Sequence, residues 1–207
     1  FRHLQHGDDP ASQPERPADA AEFGGHGRVV AETALECSYS NVAFLDDSPP
    51  EQPPPQGRVL GSLSLIEEIS REWSTAIAAV GNGALRLKLF EMLRQYGYHT
   101  PNIVHPSAVV SRSAQLGSGI FIGAGAIVGT GARIDNATII NTGARIDHDC
   151  RIGPGSHIAP GATLSGNVRV GARTWLGTGC AVRQGIVIED DVLVGVGAAV
   201  VSNLPAG

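Results

Sequence analysis

The sequence predicts a protein of class α/β plus β, in which a small α/β domain is followed by a parallel β-helix of hexapeptide repeats. An aliphatic residue recurs at every sixth position between residues 104 and 200, with no slip in register. Small or apolar residues mostly stand four positions after these, and glycine often comes directly after them. Upstream of the repeat, helical patterns alternate with short apolar runs, which is typical of an α/β domain.

A period of six residues fits neither an α-helix nor an alternating β-strand, and it is the signature of a hexapeptide-repeat β-helix. Each hexapeptide forms one flat side, and three sides close one triangular coil. The aliphatic side chain points inward and stacks on its equivalent one coil away, so neighbouring coils bury one another's core. Glycine, asparagine and aspartate supply the backbone freedom that the corners need. The aliphatic positions are Val104, Val110, Leu116, Ile122, Val128, Ile134, Ile140, Ile146, Ile152, Ile158, Leu164, Val170, Leu176, Val182, Ile188, Val194 and Val200.

Composition narrows the functional classes. The 207 residues carry a net charge of −5, which excludes a global positive field that would attract nucleic acid. The three cysteines, Cys37, Cys150 and Cys180, have no CxxC spacing, so we expect reduced thiols in a cytoplasmic protein rather than a disulfide framework. No apolar run approaches the about 18 residues of a membrane helix, and we expect neither a membrane span nor a secretory signal.

The chain divides into three parts. Residues 1–22 are rich in proline, aspartate, glutamine, arginine and alanine and have no periodicity, so we expect a disordered or foreign leader. Residues 23–98 form the α/β domain, and residues 99–207 form the β-helix.

The α/β domain has an order of elements that can bind a nucleotide. A glycine turn at residues 24–27 leads into a helix over residues 28–35, whose N-terminus offers N–H groups to a phosphate. An apolar strand over residues 41–47 ends in two carboxylates, and such residues contact a ribose or a base in dinucleotide-type domains. A doubly wound domain opens with an apolar strand of about five or six residues before the glycine turn, whereas only Phe23 precedes it here. The remaining expected elements are a helix over residues 63–72, a strand over residues 75–80 and a helix from Leu85 to Tyr96 that ends at Gly97.

Several motifs resemble the sugar O- and N-acetyltransferases of the sialic-acid and bacillosamine type. The resemblance covers about residues 23–204 and is strongest over residues 141–179. It implies a Rossmann-like nucleotide-sugar domain, a left-handed β-helix, acetyl-CoA as the acetyl donor and a homotrimer with active sites between subunits. The motifs are Gly25-His26-Gly27, Phe44-Leu45-Asp46-Asp47, Gly81-Asn82, Asn141-Thr142-Gly143-Ala144, Asp147-His148-Asp149-Cys150 and Gly155-Ser156-His157-Ile158.

His148 is the candidate catalytic base. It stands two residues after Ile146, so its side chain should point out of the coil. A neutral imidazole has a pKa near the pH at which a general base works, and a neighbouring carboxylate fixes its tautomer and stabilises the imidazolium. Asp147 and Asp149 flank the histidine, and the resemblance favours Asp149 as its partner. The alternative is that His148 is an ordinary surface residue.

Asn141, His157 and Gly166 are the candidate contacts of acetyl-CoA. The resemblance implies that His157 contacts acetyl-CoA, and its position on the next side of the coil would let it reach the same groove, from the same or a neighbouring subunit. Asn141 either contacts the substrate or CoA, or takes a left-handed turn conformation. Gly166 lies near the position at which the family donates a backbone N–H to the thioester carbonyl. The alternatives are a hydrogen-bonded turn histidine at His157 and a simple coil corner at Gly166.

The resulting hypothesis is acetyl transfer from acetyl-CoA to the free amine of a nucleotide-linked amino sugar, without a metal. O-acetylation of a sialic-acid-like hydroxyl is the nearest alternative, because it needs the same base. A γ-type carbonic anhydrase needs three zinc-binding histidines, and only His148 and His157 lie deep in the coils. A non-catalytic trimeric scaffold is the last alternative. The expected contacts of the nucleotide sugar are Gly25, His26, Gly27, Asp46, Asp47, Gly81 and Asn82.

Overall fold

The structure, a computed structural model, describes residues 25–48, 52 and 54–207. Within them the chain forms an α/β domain followed by a β-helix. The predicted leader over residues 1–22 and the apolar residue Phe23 lie outside the described residues.

The α/β domain contains two helices, a pair of parallel strands and two short 3₁₀ segments. Strands β1 and β2 pair in parallel, with Ala43 opposite Arg58. Helix α2 ends as predicted, because Gly97 takes a left-handed φ of 82° and the amide of Tyr98 bonds to the carbonyl of Leu93. The bounds are α1 Gly25–Glu36, β1 Ala43–Leu45, β2 Arg58–Gly61, the 3₁₀ segments Leu63–Leu65 and Glu68–Arg71, and α2 Gly83–Gln95.

Three predictions for this domain need correction. Helix α1 begins at Gly25, so residues 25–27 form its first turn rather than a turn that precedes it. The helix expected over residues 63–72 is replaced by the two 3₁₀ segments. The strand expected over residues 75–80 forms, with the described residues, a single bridge between Thr75 and His99. The physical reason is that this segment and β1 line a cavity of about 430 Å³, so among the described residues its backbone has no neighbouring strand to pair with there.

The β-helix confirms the hexapeptide pattern in every repeat. Each inward aliphatic residue ends a two-residue strand, and the residue before it faces outward. The strands are β3 Ile103–Val104, β4 Val109–Val110, β5 Gln115–Leu116, β6 Phe121–Ile122, β7 Ile127–Val128, β8 Arg133–Ile134, β9 Ile139–Ile140, β10 Arg145–Ile146, β11 Arg151–Ile152, β12 His157–Ile158, β13 Thr163–Leu164, β14 Arg169–Val170, β15 Trp175–Leu176, β16 Ala181–Val182, β17 Val187–Ile188, β18 Leu193–Val194 and β19 Ala199–Val200.

These strands stack into three parallel sheets, which are the three faces of a prism. Face 1 contains β3, β6, β9, β12, β15 and β18, face 2 contains β4, β7, β10, β13, β16 and β19, and face 3 contains β5, β8, β11, β14 and β17. Paired residues are one coil, or 18 positions, apart: Ile140 lies opposite Ile158, which lies opposite Leu176. Their side chains are fully buried and form the core of the prism.

Each corner of the prism needs one residue in the left-handed conformation. This is the third residue after the inward aliphatic one, and its φ lies between 53° and 72° at every corner from Gly119 to Gly197. Glycine fills most of these positions, since it adopts a positive φ without strain. Asp149 takes the same conformation with a φ of 58°, which aspartate tolerates better than most residues. The corner geometry therefore fixes where the Asp149 carboxylate lies.

The α/β domain packs against face 1. Val30 and Ala34 of α1 form one buried cluster with Ile103, Phe121 and Ile139, the outward residues of β3, β6 and β9. Face 1 is therefore partly covered by the chain's own N-terminal domain. Within the described part of the chain, neither helix has the length and apolar character to cross a membrane.

Candidate active site

His148 lies at the corner between β10 of face 2 and β11 of face 3. Its side chain points outward, as predicted, and is 58% exposed. The Nδ1 atom is 3.0 Å from Oδ2 of Asp149, and the backbone amide donates to Oδ1 of Asp147 over 2.7 Å. The structure thus pairs the two residues that the sequence proposes as the catalytic pair.

The carboxylates around His148 set its protonation chemistry. The hydrogen bond to Asp149 and then the charge of Asp147 hold the pKa of the imidazole above its ordinary value of 6.5. Since a carboxylate only accepts hydrogen bonds, the proton of the neutral ring sits on Nδ1, and Nε2 carries the free lone pair. This is the tautomer that a general base needs, with Nε2 directed away from its carboxylate partner.

Gly166 makes room for the His148 ring. It occupies the position of His148 in the following coil, and a Cβ atom there would overlap Nε2 and Cε1 of the imidazole. The φ of Gly166 is not left-handed, so the glycine is required for space rather than for backbone freedom. Gly166 is buried, and no acceptor among the described residues bonds to its amide. An unpaired N–H beside the ring is suited to stabilise a developing oxyanion.

His157 and Asn141 form a second pair on face 1. His157 lies on β12 between Ile139 and Trp175, and its Nε2 is 3.1 Å from Nδ2 of Asn141. The Asn141 Oδ1 accepts from the Thr142 amide over 2.8 Å, so the Nδ2 group faces the ring and donates to it. The φ of Asn141 is not left-handed, which excludes the turn interpretation of this residue.

His157 is held neutral by its surroundings. Burial, the Arg86 guanidinium and His26 lower its pKa to about 3. An unprotonated Nε2 is also what the bond from Asn141 requires, because only a lone pair can accept it. His157 therefore acts as a hydrogen-bonding group and not as a cation near neutral pH.

His26 lies next to His157 at the junction of the two domains. The ring centroids are 6.3 Å apart, and the His26 ring meets Phe121 edge-on at 5.1 Å. Burial and then Arg86 lower the pKa of His26 to about 4. Its Nε2 is buried without a hydrogen-bond partner in the described part of the chain. The N-terminal domain and the β-helix thus contribute one neutral histidine each to the junction.

The other candidate sugar contacts do not all converge. Gly27 and Asp46 line the cavity between β1 and residues 75–80, and Asp46 is buried, with Oδ1 accepting from the Ser48 amide over 2.7 Å. Gly25 is exposed at the start of α1 and does not line this cavity.

The remaining three candidates have structural contacts. Oδ1 of Asp47 accepts from the Leu63 amide, and Oδ1 of Asn82 caps α2 by accepting from the Leu85 amide, both over 2.9 Å. The carbonyl of Gly81 accepts from Nη1 of a buried arginine, Arg86, over 2.9 Å.

Sequence reasoning missed Arg86. This side chain is only 1% exposed and lies on α2, facing the β-helix. One signal was available, because Arg86 stands three and seven residues before Leu89 and Leu93 and so shares their buried helix face.

The two groups of histidines lie apart within one chain. His148 is on the corner between faces 2 and 3, whereas His157 is on face 1 and His26 is on α1 beside it, and no ring contact or hydrogen bond joins His148 to either. In residues 25–48, 52 and 54–207, no three histidine, cysteine, aspartate or glutamate side chains are grouped to hold a metal ion.

The architecture defines a class of protein, the bacterial hexapeptide transferases. The family profile described as bacterial transferase hexapeptide (six repeats) matches residues 131–166. The profile described as PglD N-terminal domain matches residues 23–93. The first profile matches part of the β-helix and the second matches the α/β domain, and with the similar structures they fit a left-handed β-helix.

Several similar proteins are acetyltransferases, and two of those named below are N-acetyltransferases of perosamine. A histidine-to-asparagine variant of perosamine N-acetyltransferase from Caulobacter crescentus, solved with CoA and GDP-perosamine, is 37% identical over 90% of this chain and 89% of that one, with a TM-score of 0.87. The acetyltransferase domain of PglB from Neisseria gonorrhoeae FA1090, solved with acetyl coenzyme A, is 38% identical over 88% of this chain and 89% of that one, with a TM-score of 0.84. The GDP-perosamine N-acetyltransferase of Escherichia coli O157:H7 is 30% identical over 108 residues, which span 52% of this chain and about half, 49%, of that protein.

The chain belongs to the family of hexapeptide-repeat sugar acetyltransferases that carry a PglD-type N-terminal domain. The resemblance read from the sequence motifs is thereby confirmed.

The fit of His148 over Gly166 gives the first prediction. Gly166→Ala should fold normally, because the backbone conformation is open to alanine, but the methyl group should push the imidazole off its contact with Asp149. The pKa of His148, measured by NMR titration, should then fall toward its ordinary value. Gly195→Ala, at a position whose φ is likewise not left-handed and where nothing lies within 4 Å of a Cβ, tests general damage to the coil and should leave that pKa unchanged. An unaltered His148 titration in Gly166→Ala would contradict the packing.

Proposed function

We propose that this protein transfers the acetyl group of acetyl-CoA to the amine of a nucleotide-linked amino sugar, with His148 as general base. The single observation that carries the proposal is the His148–Asp149 pair, held on an exposed corner above Gly166. The similar structures named above support the substrates, since they contain CoA with GDP-perosamine or acetyl coenzyme A.

The proposed reaction uses the geometry of this corner. Nε2 of His148 removes a proton from the amine as its nitrogen attacks the thioester carbon, and Asp149 stabilises the imidazolium. The amide of Gly166 donates to the oxyanion of the tetrahedral intermediate. Collapse breaks the C–S bond, the thiolate takes the proton from the imidazolium, and the products are the N-acetylated sugar nucleotide and CoA.

The nucleotide sugar is proposed to bind at the α/β domain and to point its sugar toward the junction. Gly27 and Asp46 line the cavity of this domain, and His26 meets His157 where the domain joins face 1. Neutral histidines suit a sugar, because each ring offers hydrogen bonds without placing a charge in a buried site.

A complete site requires residues from two subunits in this proposal. His148 and the His26–His157 junction lie on different faces of one prism, which supports a site in which His148 of one subunit meets the junction of another. A homotrimer, in which a corner of one prism meets the junction of the next, provides this with three equivalent sites.

A cytoplasmic location is proposed together with this activity. Cys37, Cys150 and Cys180 are free thiols, and free thiols persist in a reducing compartment.

The central prediction concerns His148. His148→Ala should lower kcat by about 10² to 10⁴ and leave the circular dichroism spectrum unchanged, because the side chain is exposed and packs into no core. The assay follows CoA thiol release with GDP- and UDP-linked amino sugars, and with the corresponding hydroxyl sugars to test O-acetylation. His99→Ala, at an exposed histidine outside the coils, should keep wild-type kcat. Full activity of His148→Ala would remove the base from the mechanism.

The pH profile gives a third prediction. Only the neutral ring accepts a proton, so kcat/KM should rise with pH through the pKa of His148, which Asp149 and Asp147 hold above 6.5. Asp149→Asn removes the stronger of these influences, and asparagine tolerates the left-handed φ of 58°. The acid limb should therefore move to lower pH. Asp135→Asn, at another corner, should leave the acid limb in place. If Asp149→Asn does not move the acid limb, the limb reports the titration of a different group, such as the substrate amine.

Mixed oligomers test the shared site. His148→Ala and His157→Ala chains should each be nearly inactive alone, and an equal mixture, co-refolded, should recover about one quarter of wild-type activity, the statistical share of boundaries with both intact residues. The recovery requires that the two histidines act from different chains. No recovery above the separate variants, in mixtures that mass spectrometry shows to be mixed, would place both in the same chain's site.

A further inference from the structure

Arg86 uses every hydrogen-bond donor of its guanidinium inside the protein. A guanidinium has five N–H groups, and each meets a backbone carbonyl. Nε donates to Ala137 at 2.7 Å, Nη1 to Val80 at 2.8 Å and to Gly81 at 2.9 Å, and Nη2 to Gly155 at 2.6 Å and to Ser156 at 3.1 Å. No donor is left for a phosphate or another ligand, so Arg86 does not bind substrate itself.

The five carbonyls come from three separate segments. Val80 and Gly81 end the extended segment of the α/β domain, Ala137 lies at the corner before β9, and Gly155 and Ser156 lie at the corner before β12. One side chain therefore ties the N-terminal domain to two successive coils of face 1. The contact is close on both sides, because a Cβ on Gly83 at the start of α2 would overlap the carbonyl of Gly155.

The buried charge has no carboxylate partner among the described residues. None of the ion pairs in the described part of the chain includes Arg86, and burial lowers its pKa to about 10, which leaves it protonated near neutral pH. A buried cation is costly unless hydrogen bonds compensate it. The planar fork of arginine satisfies five carbonyls in fixed directions, whereas a lysine ammonium has three donors on a flexible stem. The arrangement is therefore specific for arginine.

We propose that Arg86 is a positioning residue of the sugar site. It holds the Val80–Gly81 segment in a fixed position relative to β12, which carries His157 directly after Ser156. The two domains then present one rigid surface to the nucleotide sugar. This role rests on the proposed function only in naming the sugar as the ligand. The five hydrogen bonds of Arg86 are a property of the fold.

The cation also bears on the two junction histidines. Arg86 is the charged group that faces both His26 and His157, and it adds to burial in keeping each ring neutral. The remaining titratable influence on His157 is His26 itself. Removing the cation should therefore raise the pKa of both rings, whereas keeping a cation at the same place in a lysine side chain should leave both pKa values low.

Two variants and one control separate positioning from plain stability. Arg86→Lys keeps the charge and loses the fork, Arg86→Met loses both, and Arg94→Met removes an exposed arginine from the same helix. In Arg86→Lys, measured well below its melting temperature, kcat/KM for the nucleotide sugar should fall by about tenfold to a hundredfold, as expected for misplacement of a binding group by about 1 Å. KM for acetyl-CoA should stay within about twofold of wild type, as should all constants of Arg94→Met. Wild-type kinetics in folded Arg86→Lys would overturn the positioning role.

A second readout does not depend on activity. NMR titration should give low pKa values for His26 and His157 in the wild type and in Arg86→Lys, and higher values for both in Arg86→Met. Calorimetric binding of the nucleotide sugar should weaken by about tenfold in Arg86→Lys even if acetyl transfer is not the reaction. Unchanged histidine titrations in Arg86→Met, or unchanged sugar binding in Arg86→Lys, would overturn the inference. If Arg86→Met does not fold, the binding constant of Arg86→Lys decides the matter.

Discussion

The structure depends on the stacking of equivalent positions in successive coils. Residues 18 positions apart are neighbours, and their aliphatic side chains form one continuous buried column. Because each coil buries the core of the next, a slip in one repeat would expose apolar surface in its neighbours. This regularity also sets the candidate site. His148 lies over Gly166 because both hold the same position in adjacent coils, and Gly131 similarly leaves space for the Asp149 carboxylate.

A second constraint acts where the α/β domain meets face 1. The apolar contacts of Val30 and Ala34 with this face hold the domain down, but such contacts have no directional preference and would tolerate sliding. The hydrogen bonds of Arg86 have fixed directions, so they select one register of the domain on the coils. The position of His26 relative to His157 follows from that register. The geometry of the junction is therefore decided by a charged side chain rather than by the apolar contact around it.

The parts that the sequence predicts are those with local causes. The six-residue period fixes the whole β-helix, and adjacency in sequence fixes the His148–Asp149 pair. The extended segment from Thr75 to Val80 is not a strand, because a strand needs a neighbour and the described residues leave a cavity between this segment and β1. The pairing of Asn141 with His157 follows from coil geometry once the repeat is known. Arg86 lacked any motif, since its five acceptors are backbone carbonyls from distant segments.

The two histidines of the coils are tuned in opposite directions, and this separates their proposed roles. His148 is exposed beside two carboxylates that raise its pKa, so an imidazolium can form there and water and Asp149 can stabilise it. His157 is buried near a cation that lowers its pKa, so a second proton would be costly there. With Nε2 occupied by Asn141, its Nδ1–H is the one group left to donate to a ligand. In the proposed reaction the proton therefore moves only at the exposed corner, while the buried junction orients the sugar without changing the protonation of its histidines. The two environments shift the pKa values of His148 and His157 in opposite directions. This difference assigns the role of base to His148 and the orienting contact to His157.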